Sequence, residues 1–180
     1  MALARAIAPI AAAVLILASP LAAQTPPPEP APEGVSQLRH VIGLWDVTTE
    51  FIGEDGSSRA MEGQYRFGWV VPDRVVSGMS TMPELNQASG ILFFLRPSTH
   101  EIEMVSVGAD GHLWRMAGPD NGETRITPDT PMSGGSSLML RFTRYDIGRD
   151  SFRSRMEMST DGGENWRIGN RQFFRRAEGG

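Results

Sequence analysis

The sequence predicts an all-β domain, an antiparallel up-and-down barrel of about eight to ten strands behind one short helix. Three observations predict it. From residue 44 onward apolar residues recur at every second position, the period of a strand with one buried face. The apolar stretches are short, and Gly, Pro, Asp and Ser clusters separate them. No amphipathic helical stretch of ten or more residues lies between them, so parallel βαβ units are excluded. A meander of this many strands leaves two unpaired edges unless it closes, and closure creates an interior. A two-sheet sandwich is the alternative arrangement.

The helix is read at Val35–Ile42, where Val35, Leu38, Val41 and Ile42 share a face. After Gly43 the period becomes two. Trp45, Val47, Thr49 and Phe51 face one way in the first strand, with Asp46, Thr48 and Glu50 opposite. Glu54-Asp55-Gly56-Ser57 turns the chain. Met61, Gly63, Tyr65, Phe67 and Trp69 then share a face, against Glu62, Gln64 and Arg66. Val71-Pro72-Asp73-Arg74 turns into a strand at Val75–Met82, with Gly78 read as a bulge. Pro83 to Ser89 is a loop, and Gly90–Leu95 is the short, continuously apolar run of a central strand. Gly108-Ala109-Asp110-Gly111 is a hairpin signal between strands at Glu101–Val107 and His112–Ala117. A short strand near Thr124–Thr127 and a loop at Pro128–Ser136 precede strands at Ser137–Tyr145, Ser151–Met158 and Trp166–Arg176.

The N-terminus reads as a cleaved secretory signal over residues 1–23. Arg5 is followed by the apolar run Ile7–Leu17, which only Pro9 interrupts, and by the small-residue end Leu21-Ala22-Ala23-Gln24. The run is shorter than the ~20 residues of a spanning helix. No Cys near residue 23 offers a lipid anchor. Export to the periplasm or the medium is expected, with no transmembrane segment after cleavage. Residues 24–34, with Pro26, Pro27, Pro28, Pro30 and Pro32, read as a disordered Pro-rich linker. The single β-barrel domain is then 35–177.

Composition excludes several chemistries. The chain has no Cys, so thiol nucleophiles, thiolate metal sites and Cys-attached haem are ruled out. All 17 basic residues are Arg, which removes lysine Schiff-base chemistry and a Lys-bearing phosphate loop. Without Arg5, 16 arginines stand against 21 acids, a net charge of −5 that argues against nucleic-acid binding. Residues 141–176 are locally basic, with nine Arg against five acids.

Two motifs stand out. Gly43-Leu44-Trp45 follows the helix and opens the first strand. Gly lets the chain pass close to the barrel floor, and Trp plugs that end. An arginine of the last strand across the Trp ring would complete the plug, with Arg171, Arg175 and Arg176 as candidates and Arg175 assigned. Ser159-Thr160-Asp161-Gly162-Gly163-Glu164-Asn165-Trp166 has the Asp-box pattern, Ser-x-Asp-x-Gly-x-x-Trp. The carboxylate of Asp161 can accept backbone N–H bonds within the turn, Gly163 permits positive φ, and Trp166 folds back as a plug. The box is read as structural, and calcium or sugar ligation by Asp161 is the other reading.

With the leader and the final Phe173-Phe174-Arg175-Arg176, these motifs resemble a family of exported bacterial proteins of unknown function over roughly residues 36–176. The resemblance implies a lipocalin-like (calycin-like) β-barrel and carries over no catalytic residue.

No catalytic residue and no metal site is assigned, and cofactors stay open. His40, His100 and His112 do not have the spacing of local metal ligands. His112 shares a face with Trp114 and Met116. Facing inward it would be a metal or haem ligand or a base; facing out it is a solvated strand-end residue. Glu101 and Glu103 alternate with Ile102 and Met104 and read as a solvent face, as do Arg153, Arg155 and Glu157. No Gly-x-Ser-x-Gly elbow is present. The predicted interior is large and soft: Tyr65, Phe67, Trp69, Met104, Trp114, Met116 and Phe142, with Met156 and Met158, and with Arg141 or Arg144 at the mouth to hold a carboxylate. It is read either as a ligand cavity or as a filled core. The expected partner is a small apolar or amphipathic molecule. A cell-envelope docking module with a packed core and a small barrel enzyme are the alternatives. Oligomeric state is not legible.

Overall fold

The computed structural model describes residues 33–132 and 135–178. The expected leader and the Pro-rich stretch up to residue 32 lie outside them. Helix α1 (Glu33–Val41) leads into β1 (Gly43–Ile52), β2 (Ser58–Val71), β3 (Val75–Met82), β4 (Gln87–Arg96), β5 (Glu101–Gly108) and β6 (Leu113–Pro119). Then come β7 (Thr124–Ile126), β8 (Thr130–Pro131), β9 (Ser137–Tyr145), β10 (Ser151–Ser159) and β11 (Arg167–Arg176). Ten of these close a ring in the order β1-β2-β3-β4-β5-β6-β7-β9-β10-β11, and β11 returns to β1. Every pairing is antiparallel. The two-residue β8 hangs on the start of β9, inside the stretch read as plain loop. The β6–β7 seam is thin, with Ala117 opposite Ile126 as its paired position.

Strict alternation inside the ring produces one core. Trp45, Val47, Phe67, Val76, Phe93, Ile102, Met104, Met116, Phe142, Phe152 and Phe174 are buried in it. Helix α1 adds Val35, Leu38 and Val41 from one end. The helix begins and ends slightly earlier than the sequence reading placed it. Gly34 lies within that added turn, where a Cβ would press on Leu95, Asp120 and Ile102.

The closed end is held by Trp45 and Arg176. Trp45 Nε1 donates to the Val41 carbonyl at 2.8 Å, and Arg176 donates to the Ile42 carbonyl at 2.8 Å and the His40 carbonyl at 3.3 Å. These are carbonyls that a helix C-terminus leaves without intrahelical partners. The same guanidinium lies 4.2 Å from the Trp45 ring centre. Gly43 has φ +119°, and Arg176 Nη1 occupies the space a Cβ would need.

Two expectations need correction. Arg176, not Arg175, covers Trp45. Arg176 lies directly opposite Trp45 in the β1–β11 register, whereas Arg175 lies opposite Asp46 and is exposed beside Phe173. Gly78 is not a bulge; it pairs in register with Phe67, whose ring fills the place of a Cβ. The bulge lies between Trp69 and Val71.

Truncating Arg176→Met orphans helix carbonyls and removes the cation from Trp45, and is expected to cost about 1–3 kcal/mol. Arg175→Met is expected to change stability by less than about 0.5 kcal/mol. Urea denaturation of both variants checks the assignment.

Candidate functional site

The core is not solid. A cavity of about 170 Å³ lies along the barrel axis. Its wall is apolar on most sides, with Val41, Tyr65, Phe67, Ile91, Phe93, Met104, Phe142, Phe152, Met156 and Phe174. Ser80, Ser89, Ser106, Gln172 and Arg144 supply its polar points. A second chamber of about 150 Å³ adjoins it toward the end opposite α1, lined by Thr49, Phe51, Thr81, Met82, Gln87, Ala88 and Asn170. Tyr65, Ser80, Ser89 and Gln172 line both chambers. For scale, a dry cavity of ~150 Å³ accepts benzene. A further concavity of about 540 Å³, beside Gly43, Gly68 and Gly78, is an open groove on the outer surface.

Between the chambers sits a hydrogen-bonded waist. Gln172 Nε2 donates to the Tyr65 hydroxyl at 2.9 Å and to Thr49 Oγ1 at 3.1 Å, and its Oε1 accepts from Ser154 at 3.1 Å. Burial pushes the Tyr65 phenol upward, so it stays neutral. An aromatic chain runs from the plug into the wall. Trp45 meets Phe152 edge-on at 5.1 Å, Phe152 stacks on Phe174 at 4.1 Å, and Phe174 meets Tyr65 at 5.2 Å.

Of the predicted interior residues, Tyr65, Phe67, Met104 and Phe142 line the cavity, as does Met156. Trp69 is half-buried against the core but does not reach the void. Met116 is buried against Met104, its cross-strand partner, and Trp114 is half-buried beside His112, with ring centres 4.3 Å apart. Arg141 needs correction: the alternation that turns Phe142 inward turns Arg141 outward and Arg144 inward. Arg141 forms a bidentate pair with Glu157 on the outer face, at 2.8 Å for both bonds, and its guanidinium covers Trp166 at 4.2 Å. Phe93, Phe174 and Gln172 were missed. Phe93 sits in the run Ile91–Leu95 and Phe174 beside Phe173, where every residue is apolar and parity cannot be read. The register Val47 opposite Phe174 would have found the second.

At the closed end two arginines are buried. Arg144 has Nε and Nη2 on the Glu123 carboxylate at 2.7 and 3.2 Å. Arg125, 2% exposed, bonds Gln37 through Nη2 and has no partner for Nε. Burial, then the neighbouring Arg144, pulls Arg125 down to about 10.

The outer carboxylates are covered rather than free. Glu103, 3% exposed, is clasped by Arg96 and Arg115. Burial alone would raise its pKa, but the two guanidiniums outweigh this and hold it below the usual carboxylate range. Glu157 is lowered chiefly by its bonds from Arg141. His40 packs on Trp45 and Phe152, and its Nε2–H donates to the Gly148 carbonyl at 2.8 Å; burial lowers its pKa. Among the described residues no three His, Asp or Glu side chains come together as metal ligands.

Geometry of this kind is found in known barrels. Rv2717c of M. tuberculosis superposes with a TM-score of 0.59 at 11% identity, over 80% of this chain and 97% of that one. The S-type phycobiliprotein lyase CPES of Guillardia theta superposes at 0.50 and 9% identity, over 82% and 97%. This is a lipocalin-like barrel. No family model matches the chain, and no curated protein matches it in sequence. At these identities the likeness bears on the fold alone.

The Asp-box hairpin closes on itself. Asp161 accepts the Asn165 backbone N–H at 2.9 Å, the Ser159 hydroxyl at 2.6 Å and the Asn165 side-chain amide at 2.7 Å. Trp166 Nε1 donates to the Gly163 carbonyl at 2.9 Å, and Gly163 has φ +92°. These bonds, the Asn165 backbone bond foremost, push Asp161 down to about 2. A depressed carboxylate stabilises the fold above its unfolded value of 3.8, and that stability is lost as pH falls toward about 2. Asp161→Asn is therefore expected to flatten the fall in stability over that window while leaving the other carboxylates' share, as read by denaturation at stepped pH.

Proposed function

We propose that this chain is an exported protein that holds a small apolar or amphipathic molecule inside its barrel. The apolar cavity behind an uncharged polar mouth carries this reading. A lining of aromatic rings and methionine with a few placed hydroxyls and amides is the usual make-up of a small-molecule site. Methionine side chains such as Met104 and Met156 adapt their shape to an occupant. The nearby carboxylates Glu103 and Glu157 are spent on arginines of the outer face, and no carboxylate or histidine is among the cavity's lining residues. That supports binding over acid–base chemistry as the role of the interior. Export rests on the leader at residues 1–23, and the Pro-rich stretch behind it serves as a tether.

Two measurements test the reading. Native mass spectrometry of protein recovered from the periplasm is expected to give a mass lacking residues 1–23 and to reveal a co-purified small molecule. Filling the void with Ile91→Trp is expected to lower affinity for an apolar fluorescent probe such as N-phenyl-1-naphthylamine by at least about tenfold with the β-sheet circular dichroism unchanged. Undiminished probe binding in a folded Ile91→Trp protein would place the probe elsewhere and remove the interior as the site.

A further inference from the structure

At the closed end one buried guanidinium has no carboxylate in contact. Arg125 and Arg144 are 2% and 6% exposed, and the carboxylate of Glu123 pairs with Arg144 alone. Arg144 takes up that carboxylate in a two-bond fork. Arg125 has no carboxylate in contact, bonds a neutral glutamine, and leaves its buried Nε unpaired. A guanidinium in this setting stays charged at neutral pH, and an uncompensated buried charge is costly. The cost is relieved when a counter-charge arrives. The cavity is where one can arrive. Arg144, Val41 and Phe93 line the main chamber, and the same three residues with Arg125 line a void of about 10 Å³ directly behind it. That void has room for about one water and no more. An anion in the main chamber therefore meets Arg144, which lines it, and feels Arg125 behind it.

Resting on the reading that the interior binds a small molecule, we infer that its ligand is a compact amphipathic monoanion, a medium-chain or aromatic monocarboxylate, held with its carboxylate against Arg144 at the α1 end and its apolar body between the Phe and Met side chains. Arg125 has no carboxylate in contact and Arg144 stands on the cavity wall, which favours an anionic head group. Chambers of about 170 and 150 Å³ match a short chain or a ring. The second chamber lacks a cation: Thr49, Thr81, Gln87 and Asn170 line it, so the head group finds its counter-charge at the closed end. Arg125 acts through the field it adds beside Arg144, as a positioning residue for the carboxylate.

Paired probes of equal length test this. Isothermal titration of the purified chain is run with sodium decanoate and with 1-decanol at pH 8. Decanoate is expected to bind at least about tenfold more tightly, in keeping with charge-assisted hydrogen bonds to a guanidinium. Arg144→Met and Arg125→Gln are each expected to erase most of that preference, read as the ratio of decanoate to decanol affinity within the same variant. The wild-type comparison needs no variant, so a misfolded mutant does not obscure the result. Equal binding of the two probes overturns the anion inference and leaves the cavity reading standing. Binding of neither overturns both.

Discussion

Closure of the sheet through β10 is the constraint on which the molecule depends. β10 pairs with β11 on one side and with β9 on the other, so the meander has no free edge around the ring. Once the ring is closed, every second residue of ten strands must face a common interior, and the side-chain period becomes a radial coordinate. Inside and outside then follow different chemistry. Inside, hydroxyls and amides satisfy one another around Gln172. Outside, carboxylates such as Glu103 and Glu157 lie under arginines that pair with them from neighbouring strands.

The two ends of the barrel are built differently, and that difference gives the cavity a direction. At one end α1, Trp45 and Arg176 form a plug in which a single guanidinium caps helix carbonyls and covers an indole. Arg125 and Arg144 lie buried just inside that plug. At the other end the lining is uncharged and polar. An amphipathic guest would thus meet a gradient from neutral polar groups through aromatic rings to positive charge. The field at the bottom of a low-dielectric cavity is worth far more than the same charges at the surface.

Much of this was legible in the residue order. Alternation located nearly every strand to within a few residues, and the glycine and tryptophan of Gly43-Leu44-Trp45 marked the plug before its arginine was known. Where alternation stops, legibility stops. In Ile91–Leu95 and at Phe173-Phe174 both parities are apolar, and the inward Phe93 and Phe174 were lost. Arg141 and Arg144 both stood as anchors, and the parity of Phe142 separates them, turning Arg144 inward and Arg141 outward. Arg125 sits on a three-residue strand, too short to show a period at all.

The sequence by itself determined the class of fold, the hairpin chemistry of the Asp box and the exclusion of thiol and lysine chemistry. These follow from period, turn residues and composition, which are local properties of the chain. Tertiary structure alone decided which arginine covers Trp45, where the void lies, and that Arg144 takes the Glu123 carboxylate while Arg125 is buried without one. Those facts depend on register between strands far apart in sequence. A shift of one residue reverses which side chain points inward, and no local pattern records it.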